Sequence, residues 1–339
     1  MNMKELAALC KVSVATVSYA LRDDERISKA VRERIQATAE KHNYRANSQS
    51  SALVRYRDQS KQPIQTPNVG ILYVHPKTSR RTQLIQPHIK SFHQNITPYG
   101  YTVKEFFLGD DSNATESLLK ELRAAETQGL VLAWGDWKGR LKDFPWNEYS
   151  VVSAERNEIH PALDRVSMNH FNATDEAFHQ LERLGVERIG LVCHDDLPIR
   201  VRKNIVGAYL MNVQAHETWI DNIQPYFYRL GESPEAFLKW FQENQLDAVL
   251  AHRQIPHDFF EQAGLQFPRD AQYAVIEMDA FTLDDASGLR MNDDMGRVLA
   301  ETIAGKLHYD EKVDLQATGN LILVDGVWQD GVTTVSKKA

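Results

Sequence analysis

The residues with the clearest chemistry lie near the N-terminus, where two short apolar-periodic segments flank a break at residues 10–12. Ser13 stands where a helix N-cap accepts a backbone N–H, so a second helix is expected to begin there. Its outward side chains are small or uncharged and could fit closely against DNA: Ser13, Val14, Ala15, Thr16, Ser18 and Tyr19. Two helices joined by a tight turn form a helix-turn-helix, whose second helix lies in the major groove.

One apolar face is expected to hold these helices together, because seven residues recur at helical spacing: Leu6, Ala7, Cys10, Val12, Val17, Ala20 and Leu21. Ser28 is expected to cap a third helix that runs from Lys29 to about His42. On the first two segments alone, an ordinary amphipathic helical hairpin remains the alternative to a DNA reader.

Charge separates the first 58 residues from the rest of the chain. The 339 residues carry a formal net charge of −7, but residues 1–58 carry a net +4 and the remainder a net −11. A basic head on an acidic body keeps the attraction to phosphates local to the head. The distribution favours DNA binding by the head, with a solvated helix surface as the alternative for each single charge.

Length and composition predict two to three domains with proper cores, since 42% of the residues are hydrophobic. No apolar run is long enough to span a membrane, and Lys4 and Glu5 interrupt any secretory signal. We therefore expect a cytoplasmic protein that does not contact a membrane. Cys10 and Cys193 lie far apart in apolar contexts and are expected to be buried thiols.

Motifs of catalysis are missing from the sequence. It contains no Gly-x-Gly-x-x-Gly, no Gly-x-x-x-x-Gly-Lys and no Gly-x-Ser-x-Gly, and its 12 histidines show no metal-ligand spacing. We expect no cofactor, no metal and no enzymatic activity. An α/β sugar-modifying enzyme is the competing class, and a solute-binding protein is a third interpretation that the basic head opposes.

The body alternates strands and helices, which predicts parallel sheets with helices on both faces. Strands are expected at 69–74, 101–107, 129–134 and 150–153, and a second series begins near Val166 with strands at 188–193, 248–251 and 273–276. Two doubly wound lobes in tandem predict a clamshell with a ligand cleft between them. A polar stretch with two prolines, residues 55–68, is expected to link head and body.

The stretch from Met3 to Leu53 resembles the headpiece of the LacI/GalR (lactose-repressor and galactose-repressor) family of transcriptional regulators. Four segments carry the resemblance: VSVATVS at 12–18, IS at 27–28, VRERI at 31–35 and NYRAN at 43–47. The body resembles, less tightly, the family's effector domain, which is itself similar to periplasmic sugar-binding proteins. The segments that carry this second resemblance are residues 166–169, 181–190 and 274–279.

The resemblance implies a sequence-specific regulator, most commonly a repressor, whose homodimer binds double-stranded operator DNA under the control of a small-molecule effector such as a sugar or sugar derivative. It implies an all-α headpiece at 1–46, a hinge helix and linker at 47–65, and an α/β effector-binding and dimerisation domain of the periplasmic-binding-protein type at 66–339. Lobe 1 is expected at about 66–162 and 290–318, and lobe 2 at about 163–289 and 319–339.

In this family the hinge becomes helical only on operator DNA, and a leucine from each protomer enters the minor groove. Leu53 occupies that place here, with a plain linker leucine as the alternative. We expect Val14, Ala15 and Tyr19 to contact bases, and Ser13, Thr16, Ser18 and Asn47 to contact phosphates.

Two residues of the headpiece depart from the family pattern. Lys11 stands where the family usually has glycine, which costs about 1 kcal/mol if the backbone there needs a positive φ. Ala46 replaces the usual proline before the hinge, so the start of the hinge is less rigidly set.

Eight residues are candidates for effector contact: His75, Trp134, Asn169, Arg202, Asn204, His252, Arg253 and Asp279. The family holds polar groups of its ligand with an aspartate in the position of Asp279, whereas its usual arginine falls on Asn204 and its usual asparagine–aspartate pair on His252 and Arg253. These departures indicate either an effector unlike the common neutral sugars or a cleft that no longer binds a small molecule. For Trp134 and Asp279 the alternatives are packing and a strand-end loop residue.

Overall fold

The structure is a computed structural model that describes residues 3–21, 27–41, 68–111, 113–155, 161–215, 223–278, 282, 285–290 and 294–336. The side chains of residues 3–5, 14, 15, 18, 40 and 81 lie outside that description. The chain divides into two compact units, residues 1–65 and residues 66–339.

The N-terminal unit contains, in its described part, the helices α1 (Met3–Cys10), α2 (Val14–Leu21) and α3 (Lys29–Lys41). Their shared core is formed by Leu6, Ala7, Cys10, Val17, Ala20, Ile35 and Ala39, with Val12, Leu21 and Val31 packed against it. The apolar face expected from helical periodicity is therefore confirmed for all seven of its residues. Cys10 and Cys193 are both buried free thiols, as expected.

The body contains two six-stranded sheets. The first is formed by β1 (Asn68–Tyr73), β2 (Thr102–Phe107), β3 (Thr127–Leu132), β4 (Ser150–Ala154), β5 (Asp164–Met168) and the late strand β11 (Leu321–Val324), in the order β11-β5-β4-β3-β1-β2. The second is formed by β6 (Ile189–His194), β7 (Tyr226–Tyr228), β8 (Ala248–Ala251), β9 (Gln272–Met278), β10 (Ser287–Arg290) and β12 (Val327–Gln329), in the order β12-β10-β9-β8-β6-β7.

Neighbouring strands in both sheets are parallel, except that β12 runs antiparallel to β10. The strands are rich in Val, Ile, Leu and Ala and are mostly buried, as parallel strands covered on both faces must be. The fold class expected for the body, two doubly wound α/β lobes, is confirmed.

Eight helices of the body are described: α4 (Arg80–Leu84), α5 (Gln86–Ile96), α6 (Ala114–Ala124), α7 (His170–Arg183), α8 (Ile199–Ala215), α9 (Glu235–Glu243), α10 (His257–Gln262) and α11 (Asp294–His308). α11 follows β10 of the second sheet in sequence but packs on α5 and the first sheet. The two helices approach closely at Gly296, where a Cβ would lie 2.5 Å from the backbone nitrogen of Phe92.

The chain crosses between the lobes three times: between β5 and α7, between β10 and α11, and between β11 and β12. Residues 163–168 and 319–324, which we expected in lobe 2, supply β5 and β11 and therefore belong to lobe 1. Their pairing is explicit, since β5 joins β4 through Val152 and Asp164, and β11 joins β5 through Leu321 and Arg165. Both segments extend the first sheet at its β4 side instead of opening the second.

A single hydrophobic cluster runs from α5 and the first sheet through α7 and α11 into the second sheet, so the lobes are in contact through apolar side chains. A separate cluster around Trp137 and Trp146 fills the other face of the first sheet. Within the described residues, no helix is both long and apolar enough to cross a membrane.

Candidate DNA-binding surface and ligand cleft

The turn between α1 and α2 is fixed by its backbone. The N–H of Lys11 donates to the carbonyl of Ala8, and the N–H of Val12 donates to the carbonyl of Ala7, both at 3.1 Å. These two bonds form a Schellman motif, which places the residue after the C-cap in the left-handed region. Lys11 adopts φ 52° there. The backbone at this turn position therefore does need the positive φ that glycine adopts most easily.

The start of α2 is capped as the sequence predicts. The Oγ of Ser13 accepts a hydrogen bond from the backbone N–H of Thr16 at 3.0 Å and lies 2.8 Å from the Thr16 hydroxyl. The cap satisfies one backbone donor that the first turn of a helix leaves unpaired. Because the hydroxyl of Ser13 is exposed, it can still donate to a group outside the protein.

α3 ties the two shorter helices together. The amide of Gln36 donates to the carbonyl of Ala20 at 3.0 Å, and the guanidinium of Arg34 donates to the carbonyl of Cys10 at 3.4 Å. These bonds fix the ends of α1 and α2 from the side of α3, so the two helices keep one relative orientation.

The structure places three of the predicted DNA-contacting side chains on the surface of the headpiece: Ser13 is exposed, and Thr16 and Tyr19 are partly exposed. The side chains of Val14, Ala15 and Ser18, and the whole of Asn47 and Leu53, lie outside the described residues. The exposed turn residue Lys11 stands two positions before the cap of α2. The described part of this surface is polar and includes the exposed Lys11.

The carboxyl ends of the strands of both lobes meet at the three crossovers. Asn169, which follows β5, caps α7 by accepting from the N–H of Asn172 at 3.3 Å, and its own amide donates to Asp325 in the third crossover at 2.9 Å. Ligands of open α/β sheets bind at this edge, where the strand order reverses. In the second sheet the order reverses between β6 and β8, so His194 and His252 flank that point.

A partly buried carboxylate, that of Glu277 in β9, is the centre of the second lobe's edge. Its Oε2 lies 3.3 Å from Nε2 of His252 and 3.8 Å from Nε2 of His170, and its Oε1 lies 3.5 Å from the guanidinium of Arg253. His252 is 1% exposed and His170 is 5% exposed, so the contacts are shielded from water on the histidine side.

The electrostatics of this cluster keep Glu277 ionised. Burial opposes its charge, but the charge of Arg253 and the imidazoles of His170 and His252 hold the pKa of the carboxyl well below its usual range. Burial lowers the pKa of His252 to about 4, against the pull of Glu277, so this imidazole is neutral near pH 7. Burial also lowers the pKa of His194.

His170 behaves differently from the other two histidines. Burial alone would lower its pKa, but the hydrogen bond with Glu277 and the charges of Glu155 and Glu277 outweigh burial and raise it. Glu155 follows β4 with a left-handed φ of 67° and accepts from the hydroxyl of Ser167 at 3.0 Å and the N–H of Met168 at 3.4 Å. A carboxylate of lobe 1 and a carboxylate of lobe 2 thus both act on one imidazole.

On the first lobe, His75 and Trp134 follow β1 and β3 and are partly exposed. The ring of Trp134 stacks on His88 of α5 with centroids 5.2 Å apart. Trp137 and Trp146, which cluster with Trp134 in sequence, are buried in the core and serve packing.

The remaining effector candidates are spread along the second lobe. Arg202, on α8, donates to the carbonyl of Asp195 at 2.7 Å and lies 4.9 Å above the ring of Phe227. Asn204 is half-buried on the same helix. Asp279 lies outside the described residues. The structure therefore brings together His252 and Arg253, and it places Asn169, Arg202 and Asn204 on other elements around the crossovers.

Sequence reasoning missed four residues of this region: His170, His194, Glu155 and Glu277. One signal was present, because Glu277 interrupts the largely apolar strand β9 (Gln272–Met278) just before its end, where a buried charge needs partners. Within the described residues, no group of three or more His, Cys, Asp or Glu side chains is arranged to hold a metal ion.

Comparison with known protein families gives one match: residues 2–47 match the family described as "Bacterial regulatory proteins, lacI family". No curated protein matches the chain in sequence. The match covers the headpiece up to Asn47.

Solved structures resemble the fold over nearly the whole chain. A transcriptional regulator CelR–cellobiose complex shares 13% identity, with 98% of this chain and 100% of that chain covered and a TM-score of 0.56. The lac repressor dimer bound to operator and the anti-inducer ONPF shares 16% identity, with 99% of both chains covered and a TM-score of 0.56. A regulatory protein of the LacI family from Chloroflexus aggregans shares 15% identity, with 78% of this chain and 98% of that chain covered and a TM-score of 0.60.

Proposed function

We infer that this chain, whose residues 2–47 match the lacI family of bacterial regulatory proteins, is a DNA-binding transcriptional regulator that acts as a repressor. The observation that carries the inference is the headpiece: a fixed turn at Lys11 and a capped second helix at Ser13, in the segment that matches the family. A helix-turn-helix held in this way presents the N-terminal residues of its second helix to the major groove.

The proposed DNA contacts fall into base contacts, phosphate contacts and one minor-groove contact. Val14, Ala15 and Tyr19 offer apolar and aromatic contacts that read base edges, whereas the hydroxyls of Ser13, Thr16 and Ser18 and the amide of Asn47 suit phosphates. Leu53 suits a minor-groove wedge. We propose these eight residues as the DNA-binding set.

The regulator binds DNA as a homodimer in this proposal. The described part of one headpiece has three short helices and a small contact surface, so two half-sites read together add affinity and demand a near-palindromic operator. The lac repressor among the similar structures is a dimer bound to operator, which supports this arrangement.

The DNA-binding proposal is tested with the full chain and a library of random-sequence duplexes. Repeated selection is expected to enrich an inverted repeat, and the affinity for it is expected to fall roughly a thousandfold between about 50 and about 200 mM salt if about six phosphates are contacted. A chain that lacks residues 1–58 is expected to bind none of the selected duplexes. Salt-insensitive binding that survives this deletion refutes the proposal.

A matched pair of variants tests the role of α2. Thr16→Val is expected to weaken binding to all duplexes about equally, because a phosphate contact carries no sequence information, and to leave the salt dependence unchanged, because a neutral hydroxyl displaces no counterion. Thr38→Val makes the same chemical change on α3, where the hydroxyl donates to the carbonyl of Arg34, and is expected to leave DNA affinity unchanged.

For the effector we propose a small polar molecule, such as a sugar or sugar derivative, in the cleft at the carboxyl ends of the strands. Nδ1 of His252 and Nε2 of His194 are buried without a hydrogen-bond partner among the described residues, and the two rings lie 6.3 Å apart. Buried polar atoms require partners, and a hydroxylated ligand supplies both donors and acceptors. The CelR structure holds cellobiose, which makes disaccharides a reasonable first choice.

A thermal-shift screen of neutral sugars, amino sugars and sugar phosphates tests this part. A cleft ligand at about 100 times its Kd adds about 2.7 kcal/mol to the free energy of unfolding of the body. His252→Phe is expected to remove the shift, whereas His257→Gln, at an exposed position on α10, is expected to keep it. A flat screen would favour the alternative in which the cleft no longer binds a small molecule.

A further inference from the structure

The first and third crossovers between the lobes are only one and two residues long: Asn169 lies between β5 and α7, and Asp325 and Gly326 lie between β11 and β12. The two crossovers are joined through the backbone, since the N–H of Asn169 donates to the carbonyl of Val324 at 2.9 Å. A change in the angle between two lobes is absorbed by a few residues at such connections. These crossovers are therefore the place where the lobes can turn against each other.

The carboxylate of Asp325 spans this region. Its Oδ1 accepts from the amide of Asn169 at 2.9 Å and from the amide of Asn172 at 3.1 Å. Asn172 lies in the first turn of α7, whose main packing partners are α8 and the strands β8, β9 and β10 of lobe 2. Asp325 directly follows Val324, which pairs with Met168 in the first sheet. The bond between Asn172 and Asp325 therefore joins a helix of lobe 2 to the end of a strand of lobe 1.

We propose that the bond between the Asn172 amide and the Asp325 carboxylate is a clamp that favours the arrangement of the lobes in this structure. Both residues are exposed, so the clamp can open and close while the two sheets stay folded. One hydrogen bond of this kind shifts an equilibrium on the order of fivefold. The proposal concerns the body alone and does not depend on DNA binding or on the identity of the effector.

Other polar bonds near the clamp lie within lobe 2. Arg290 of β10 donates to Gln329 of β12 at 2.7 Å, and both strands belong to the second sheet. Asn212 of α8 donates to Asp175 of α7 at 2.9 Å. These bonds keep their partners when the angle between the lobes changes, whereas the clamp connects groups that move with different lobes.

The distance between the lobes is the direct readout. Lys120→Cys on α6 and Lys239→Cys on α9 introduce exposed thiols, one on each lobe, for a donor and an acceptor dye. The native thiols of Cys10 and Cys193 are buried and remain unlabelled under mild conditions. The labelled full chain is mixed with an excess of unlabelled chain, so that single-molecule energy transfer reports distances within one chain. No DNA and no effector are added.

Wild type is expected to show one main distance population. Asn172→Ala removes the amide and is expected to increase a second population about fivefold relative to the first. Asn172→Asp places a second carboxylate beside Asp325 and is expected to increase it further, by an amount that high salt reduces because salt screens like charges. Aspartate at this third position of α7 also favours the helix, so the variant keeps its fold. Asn212→Ala removes an amide–carboxylate bond inside lobe 2 and is expected to behave as wild type.

An exchange of the two side chains tests whether they act on each other directly. Asn172→Asp combined with Asp325→Asn restores one amide and one carboxylate at the same two positions with the roles reversed. This double variant is expected to return the wild-type distribution. Asp325→Asn alone keeps an oxygen that accepts from both amides but loses the charge, so its distribution is expected to lie between those of wild type and Asn172→Ala.

Wild-type distributions in both Asn172→Ala and Asn172→Asp overturn the proposal, and so does a double variant that behaves like Asn172→Asp alone. A shift of equal size in Asn212→Ala also overturns it, because the effect would then not depend on a bond between the lobes. If Asn172→Ala fails to fold by circular dichroism, Asn172→Asp and the double variant decide in the same way. Because no DNA is present, failure here leaves the proposed DNA-binding function standing, and the converse holds as well.

Discussion

Replacing Lys11 tests whether the turn of the helix-turn-helix stores strain. The residue adopts φ 52° at the position after the C-cap of α1, held there by the bonds to Ala7 and Ala8. Glycine adopts this conformation without a steric penalty, whereas residues with a Cβ do not. Lys11→Gly should therefore stabilise the headpiece relative to Lys11→Ala, which keeps the strain and removes the same charge.

The expected magnitude follows from three contributions. Relief of the left-handed conformation is worth about 1–2 kcal/mol, and the greater freedom of glycine in the unfolded chain offsets about 0.4–1 kcal/mol of it. Loss of an exposed cation at the C-terminal end of α1 costs about 0.3 kcal/mol, but both variants share that loss. Lys11→Gly should thus exceed Lys11→Ala by about 1 kcal/mol in free energy of unfolding.

Hydrogen exchange of the full chain, followed by mass spectrometry, measures this difference locally. Amides in residues 3–21 should exchange about fivefold more slowly in Lys11→Gly than in Lys11→Ala. Peptides from β6 to β8 in the body serve as an internal control and should not change. Equal exchange rates in residues 3–21 would refute the reasoning, because the backbone would then carry no strain at Lys11.

Three further perturbations follow from the described contacts. Ser13→Ala removes the cap of α2 and should speed exchange in the headpiece by an amount equivalent to about 1 kcal/mol, with Ser13→Asp as the variant that retains it. Gly296→Ala places a methyl group against the backbone of α5 and should lower the free energy of unfolding of the body by about 2 kcal/mol in denaturant titration. Glu277→Gln removes a charge that Arg253 and two histidines hold, and should cost about 2 kcal/mol at neutral pH. Since the pKa of Glu277 is lowered, its contribution is present above the ordinary carboxylate value and is lost as the pH falls through the lower one, so the melting temperatures of wild type and variant should converge in acid.

The headpiece could be predicted from its sequence because its determinants are local. An apolar stripe at helical spacing, a serine cap and a turn residue lie within 21 consecutive residues, and each favours the same structure. Lys11 is the exception, since a lysine does not by itself indicate a positive φ. The positive φ is indicated only by the position of Lys11 in the turn, where the resembling family usually has glycine.

The lobes could be predicted as a fold class but not as a division of the chain. β5 and β11 are short strands of five and four residues, and their apolar composition suits either parallel sheet, so it does not assign them to one of the two. Only strand pairing decides the matter: β5 pairs with β4, and β11 pairs with β5 across a long stretch of sequence.

The candidate cleft was predicted only in part, because some of its contacts are local in sequence and others depend on tertiary packing. His252 and Arg253 follow a strand directly, so their place at the edge could be read from the sequence. The contact of Glu277 with His170 depends on how α7 packs against β9, which no local pattern reveals.

The threefold crossing of the chain has a consequence for synthesis on the ribosome. After β5 emerges, the first sheet still lacks its edge strand β11 and the covering helix α11, which follow most of the second lobe. At roughly 5–20 residues per second, this interval lasts on the order of ten seconds. During that time an unpaired strand edge and an uncovered apolar face are open to association with other nascent chains. Fragments that end between β5 and α11 should therefore aggregate. The headpiece should not, because it is synthesised first and its core residues all lie within residues 6–39.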